Sequence, residues 1–151
     1  MSTPVESLLR IKRWKEDEAR NRFALSLKDL AAAEEHLAFL EGQFEDLRKQ
    51  CDCSGQVLAI EEIQSRNEWV ERLITAMDNQ KKVVSEKQRM AETARRALEE
   101  AARERKIFQR LDEKQREARE RDSRRKEQIR LDEHAVAGHA RKRVNPPHGT
   151  K

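Results

Sequence analysis

The sequence predicts an all-α fold, a two-helix antiparallel coiled-coil hairpin whose second helix is much longer than the first. Three observations predict it. Residues Gln56 to Ala137 contain neither glycine nor proline, the residues that most strongly disfavour a helix interior. Of the 151 residues, 41% are charged, 36% hydrophobic and 4% aromatic. That supply of large apolar side chains is too thin for a compact core, and it leaves an elongated fold or disorder. The apolar residues that are present fall into two stripes with spacings of three and four, the seam of a coiled coil.

The first helix is expected over about 4–50. Pro4 suits a first turn, where its missing N–H costs nothing, and Ser2 or Thr3 can cap it. Its stripe runs Phe23, Ser26, Leu30, Ala33, Leu37, Leu40, Phe44, Leu47 and Cys51. Gly42 lies off this stripe and weakens the helix by about 1 kcal/mol relative to alanine. The pattern stops at Cys51-Asp-Cys-Ser-Gly55, whose turn-forming residues predict a loop over about 51–59.

The second helix is expected over about 60–138. Glu61 and Glu62 in its first turn favour the helix dipole. Its stripe runs Ile63, Val70, Leu73 or Ile74, Met77, Val84, Ala91, Ala94, Leu98, Ala101 and Phe108. An antiparallel register pairing residues whose numbers total 114 sets Phe44 beside Val70 and Leu40 beside Ile74. It also sets Leu37 beside Met77, Leu30 beside Val84 and Phe23 beside Ala91. One register therefore satisfies both stripes. It also exhausts helix 1 near Phe108, the last aromatic residue, so Arg110 to about Ala137 is expected to project as a single helix. Pairs such as Asp112/Arg116, Glu117/Arg121 and Glu120/Arg124 support it at about 0.2–0.5 kcal/mol each. At about 1.5 Å per residue the second helix would span roughly 120 Å. Gly138 is expected to end it, and 139–151 to form a flexible basic tail.

The net charge of +4 is unevenly spread: residues 103–143 hold 15 Lys and Arg against 9 Asp and Glu. This basic end is a candidate binding end. Nucleic acid is a weaker reading, because acids interleave with the bases and aromatics for stacking are missing. Catalysis finds no glycine-rich phosphate loop, nucleophile elbow or sheltered acid/base pair, so no enzyme and no cofactor are expected. His134 and His139 are five apart, and Cys51 and Cys53 have no nearby histidine, so no metal site is expected. No signal peptide or window of 18 apolar residues occurs, and the basic segment has no apolar face, so the chain is expected to be cytoplasmic without direct membrane insertion.

Trp69, Leu73, Ala76 and Gln80 form a line on the second helix that is expected to flank the seam. Trp69 either covers the edge of the hairpin core or anchors a partner, since tryptophan is enriched at binding hot spots.

The chain resembles the flagellar export protein FliJ family. The resemblance rests on the short-helix, loop, long-helix plan, on EWVERLITAMDNQ at Glu68–Gln80, and on RKEQIRLDEHA at Arg125–Ala135. It implies a non-catalytic stalk similar to the central stalk of rotary ATPases, peripherally associated with the inner-membrane export apparatus. The implied partners are the hexameric export ATPase, the membrane protein of the export gate, and export chaperones. By position, the gate-binding set would be Leu37, Leu40, Phe44, Trp69, Leu73, Ala76 and Gln80. Leu40 and Phe44 stand where the family has tyrosines, and Gln80 where it has a histidine. The ATPase-facing set would be Arg116, Arg119, Arg124, Arg125, Gln128, Leu131, Asp132 and Glu133. The alternatives are the equivalent stalk of a virulence injectisome, or a nucleic-acid-binding basic helix.

Overall fold

A computed structural model describes residues 2–51, 57 and 59–144. Most of the expected loop, including Cys53 and Gly55, and residues 145–151 of the expected tail lie outside the described residues. Two helices account for nearly all of the rest: α1, Pro4–Cys51, and α2, Ile60–Val144, of 48 and 85 residues. The fold is all-α, and the second helix is much the longer.

Local chemistry sets the visible helix starts. Thr3 caps α1 reciprocally: its hydroxyl accepts from the Glu6 N–H at 3.2 Å, and the Glu6 carboxylate accepts from the Thr3 N–H at 3.1 Å. This is a capping box, which satisfies two N–H groups that the helix cannot. At the start of α2 the Ala59 carbonyl accepts from the N–H groups of Glu62 and Ile63.

The chain divides into two compact units, Ile11–Glu104 and Met1–Arg10 with Arg105–Lys151. In the first, α1 and α2 pack antiparallel. Lys12 bonds Glu104 at 2.8 Å, and Gln80 bonds the Ala33 carbonyl at 2.9 Å. The residue numbers of these pairs total 116 and 113, on either side of the expected 114. The interior positions of α1 recur at Lys12, Glu16, Ala19, Phe23, Ser26, Leu30, Ala33, Leu37, Leu40, Phe44 and Leu47. Those of α2 recur at Val70, Leu73, Met77, Gln80, Val84, Lys87, Ala91, Ala94, Leu98 and Ala101. Both follow the three-four alternation of a heptad seam. Leu40, Leu73, Val84, Ala33 and Ala91 are its buried apolar members.

Three expectations about the seam are corrected. Leu73, not Ile74, is buried, because 70, 73 and 77 keep the alternation while 74 lies about 100° further round the helix. Ile63 is exposed, beyond the seam's last interior positions. Cys51 closes α1 as an exposed free thiol and is no seam residue.

In the second unit, Leu9 and Asp112 are buried, and Val5, Phe108 and Gln109 are half-buried. From Glu113 to Val144 every residue is exposed. This solvated single helix starts three residues later than expected and ends later too. Gly138 does not stop it: α2 continues to Val144, and a Cβ at Gly138 would meet nothing within 4 Å. A glycine ends a helix only where the backbone turns left-handed. Here Ala137 and His139 flank it, and Arg141, Lys142 and Arg143 in the last turn complement the dipole.

Candidate partner-binding surfaces

The expected gate-binding set divides sharply by burial. Leu40 and Leu73 belong to the buried seam, and Leu37, Phe44, Ala76 and Gln80 are half-buried. Trp69 is 48% exposed. The line on α2 therefore flanks the seam only at Trp69 and Ala76. Leu73 and Gln80 lie within it, and the Gln80 side-chain amide donates to the Ala33 carbonyl of α1. The amide at a seam position meets a backbone acceptor, which offsets the cost of taking it out of water. Beside Ala76, a shallow recess of about 480 Å³ is lined by Glu68, Glu71, Arg72, Thr75 and Asn79. The set thus presents one large aromatic, a small neighbour and a polar surround on one side of the hairpin.

The expected ATPase-facing set lies wholly on the solvated helix beyond Asp112. Each expected ion pair is present: Arg116–Asp112 at 3.3 Å, Arg121–Glu117 at 3.5 Å and Arg124–Glu120 at 4.0 Å. Lys126–Asp122 at 3.3 Å adds a fourth. Gln128 donates to Asp132 at 3.1 Å, and the Arg119 guanidinium to the Gln115 carbonyl at 3.3 Å. Leu131 and Ile129 are exposed. The pairs hold side chains along the helix and leave a basic surface: residues 113–144 carry 11 Lys and Arg against 7 Asp and Glu.

Two polar features escaped the sequence reading. The first is the Lys12–Glu104 pair, with Lys12 largely covered and Glu104 less so. Hydrogen bonding from Lys12, and then its charge, hold the Glu104 carboxyl below its ordinary range. Opposite charges at nearly paired positions were a legible signal for it. The second is Asp112, 5% exposed, whose Oδ1 has no hydrogen-bond partner among the described residues. Its position four after Phe108 continues the seam, but its charge concealed that.

A third cluster lies on an exposed face of α2. Arg95 grips Glu92 at 2.6 and 2.9 Å and also bonds Glu99, while Arg96 reaches Glu92 at 3.3 Å. The hydrogen bond from Arg95 leads in holding the Glu92 carboxyl at about 2, from an ordinary 4.5. Such i, i+3 and i, i+4 pairs stabilise the helix they sit on.

Among the described residues, no group of three or more His, Cys, Asp or Glu side chains is placed to hold a metal ion. No helix among them is long and apolar enough to cross a membrane.

Searches of curated proteins and of solved structures each found no match. The family described as Flagellar FliJ protein matches residues 1–144, which takes in both helices and both candidate surfaces. The chain belongs to the FliJ family.

Proposed function

We propose that the chain is a non-catalytic stalk of the flagellar export apparatus. In this reading the solvated basic helix, residues 113–144, engages the hexameric export ATPase. Arg116, Arg119, Arg124, Arg125, Gln128, Leu131, Asp132 and Glu133 are its contact residues. The hairpin meets the export gate's membrane protein through Trp69 and Ala76, with the edges of Leu37, Phe44 and Gln80. Leu40 and Leu73 support that surface from beneath. Empty export chaperones are further partners, and the protein works on the cytoplasmic side of the inner membrane.

The observation that carries this reading is the exposure of every residue from Glu113 to Val144 in a helix that nonetheless keeps its ion pairs. A helix that buries nothing within its own chain has its whole circumference free for a ring-shaped partner.

The test uses the purified chain with the export ATPase. The full chain is expected to promote ring assembly and raise ATP hydrolysis, and a chain ending at Asp112 to do neither. Undiminished stimulation by the shortened chain would overturn the role given to this helix. At the gate, Trp69→Ala is expected to weaken binding at least tenfold with helicity retained. Leu73→Ala, which opens the seam, is expected to cost about 2 kcal/mol or more in stability. Equal loss of helicity in the two variants would return Trp69 to a purely structural role.

A further inference from the structure

The seam of the Ile11–Glu104 unit changes character along its length. Over residues 30–47 of α1 and 70–84 of α2, its positions are large and apolar except at Ala33 and Gln80. Over residues 12–26 and 87–101, only Phe23 and Leu98 are large and apolar. Lys12, Glu16, Ala19, Ser26, Lys87, Ala91, Ala94 and Ala101 fill the rest. Between Leu9 and Leu40, α1 buries no large apolar side chain.

Each of these replacements weakens the pairing. An alanine takes far less area out of water than a leucine at the same position. A charged residue there must also shed water. Glu16 is 8% exposed, and the arginine that holds it at 3.3 Å, Arg20, belongs to the same helix. That pair therefore adds nothing across the seam. Lys87 lies level with Ser26 in the register that Gln80 sets on Ala33, and both are half-buried. A groove of about 770 Å³ opens along this stretch, where Ala19 and Ser26 of α1 meet Ala94 and Ala97 of α2. Lys15, Arg22 and Arg89 stand on its rim. The cross-helix ion pair of the stretch, Lys12–Glu104, lies at its far end.

Local opening follows local packing, and the least packed segment of a helix pair opens before the whole. We propose that α1 consists of a firm base and a releasable strap. The strap, from the start of α1 to Ser26, leaves α2 while residues 30–47 stay paired with 70–84. The buried Leu9 and the Lys12–Glu104 pair are its fastenings. Release bares the α2 seam over residues 87–101. The gate-facing set lies wholly in the base, so the strap does not rest on that assignment.

The test is native-state hydrogen exchange of the full chain, read by mass spectrometry. Residues 11–26 are expected to show about tenfold or more lower protection than residues 30–47. Glu104→Gln and Leu9→Ala are each expected to speed exchange over residues 11–26 by about threefold or more. Both are expected to leave residues 30–47 within about twofold. Ala19→Leu, which fills the groove, is expected to slow exchange over residues 11–26 by about threefold or more, again without effect on the base. Equal protection of the two segments overturns the proposal, because it shows one cooperative unit. So does a change of the same size in both segments in any of the three variants. Trp69→Ala is expected to leave exchange over residues 11–26 within about twofold, so failure here and failure at the gate are read separately.

Discussion

Glu104 and Lys12 join the two helices by a charge pair of 2.8 Å, and the sign of its effect on stability follows from the direction of the shift. The Glu104 carboxyl is held below its ordinary range, so the folded chain favours its ionised form. The stability it lends is present above the unfolded carboxyl's pKa and is lost as pH falls through the lower, folded value. Glu92, held at about 2 from 4.5, behaves likewise and keeps its charge to lower pH than an ordinary glutamate. Urea unfolding followed by circular dichroism from pH 6 to pH 2 is expected to show stability falling in this window. Glu104→Gln is expected to flatten that fall without moving the shift at Glu92. Asp112 presents the opposite case, a buried carboxylate with one oxygen unpartnered. Its other oxygen holds Arg116 at 3.3 Å, a pair whose arginine is open to water. Asp112→Leu removes the unpaired polar atom and extends the apolar seam, so the unfolding free energy measured in urea is expected to rise by about 1 kcal/mol. A fall of similar size would show that the Arg116 pair outweighs the burial penalty.

Each helix contains one described glycine inside it, and neither has a structural reason to be glycine. A Cβ at Gly42 or Gly138 would find nothing within 4 Å, and neither backbone is left-handed. Gly42→Ala and Gly138→Ala are therefore each expected to increase helix stability, by up to about 1 kcal/mol. The gain at Gly42 is read in the urea midpoint, because the residue lies in the packed hairpin. That at Gly138 is read as hydrogen-exchange protection of residues 134–144, because no tertiary contact reports on it. The seams explain the rest of each element. Two helices cover each other on one side only, so among the described residues no large side chain is fully buried. Polar residues are accordingly tolerated at seam positions. Lys12, Glu16, Gln80 and Lys87 all occupy them, with Lys12 and Gln80 using the position to reach across to the other helix.

For the molecule as a whole, the division between packed and solvated residues makes loss of function separable from loss of fold. Residues 113–144 bury nothing, so ending the chain at Asp112 is expected to leave the hairpin's unfolding free energy in urea within about 0.5 kcal/mol. A larger drop would show that the basic helix supports the packed part, and the ATPase experiment would then have to be read against that instability. The family match extends to residue 144 and so takes in this solvated helix as well as the hairpin. A helix without internal packing is retained through its own ion pairs and, in the proposed role, through its partner.

The sequence by itself determined the two-helix architecture, the register within two residues, and the ion pairs beyond Asp112. Each of these is local or periodic: absence of helix breakers, heptad spacing, and charges four apart on one helix. The family was legible for the same reason, in segments read along the chain. Only the tertiary structure decided which member of Leu73/Ile74 enters the seam, that Gln80 and Lys12 are spent on the facing helix, that Asp112 is buried, and that Gly138 is no terminus. These depend on the angle at which one helix meets another, and a step of one residue turns a side chain by about 100°.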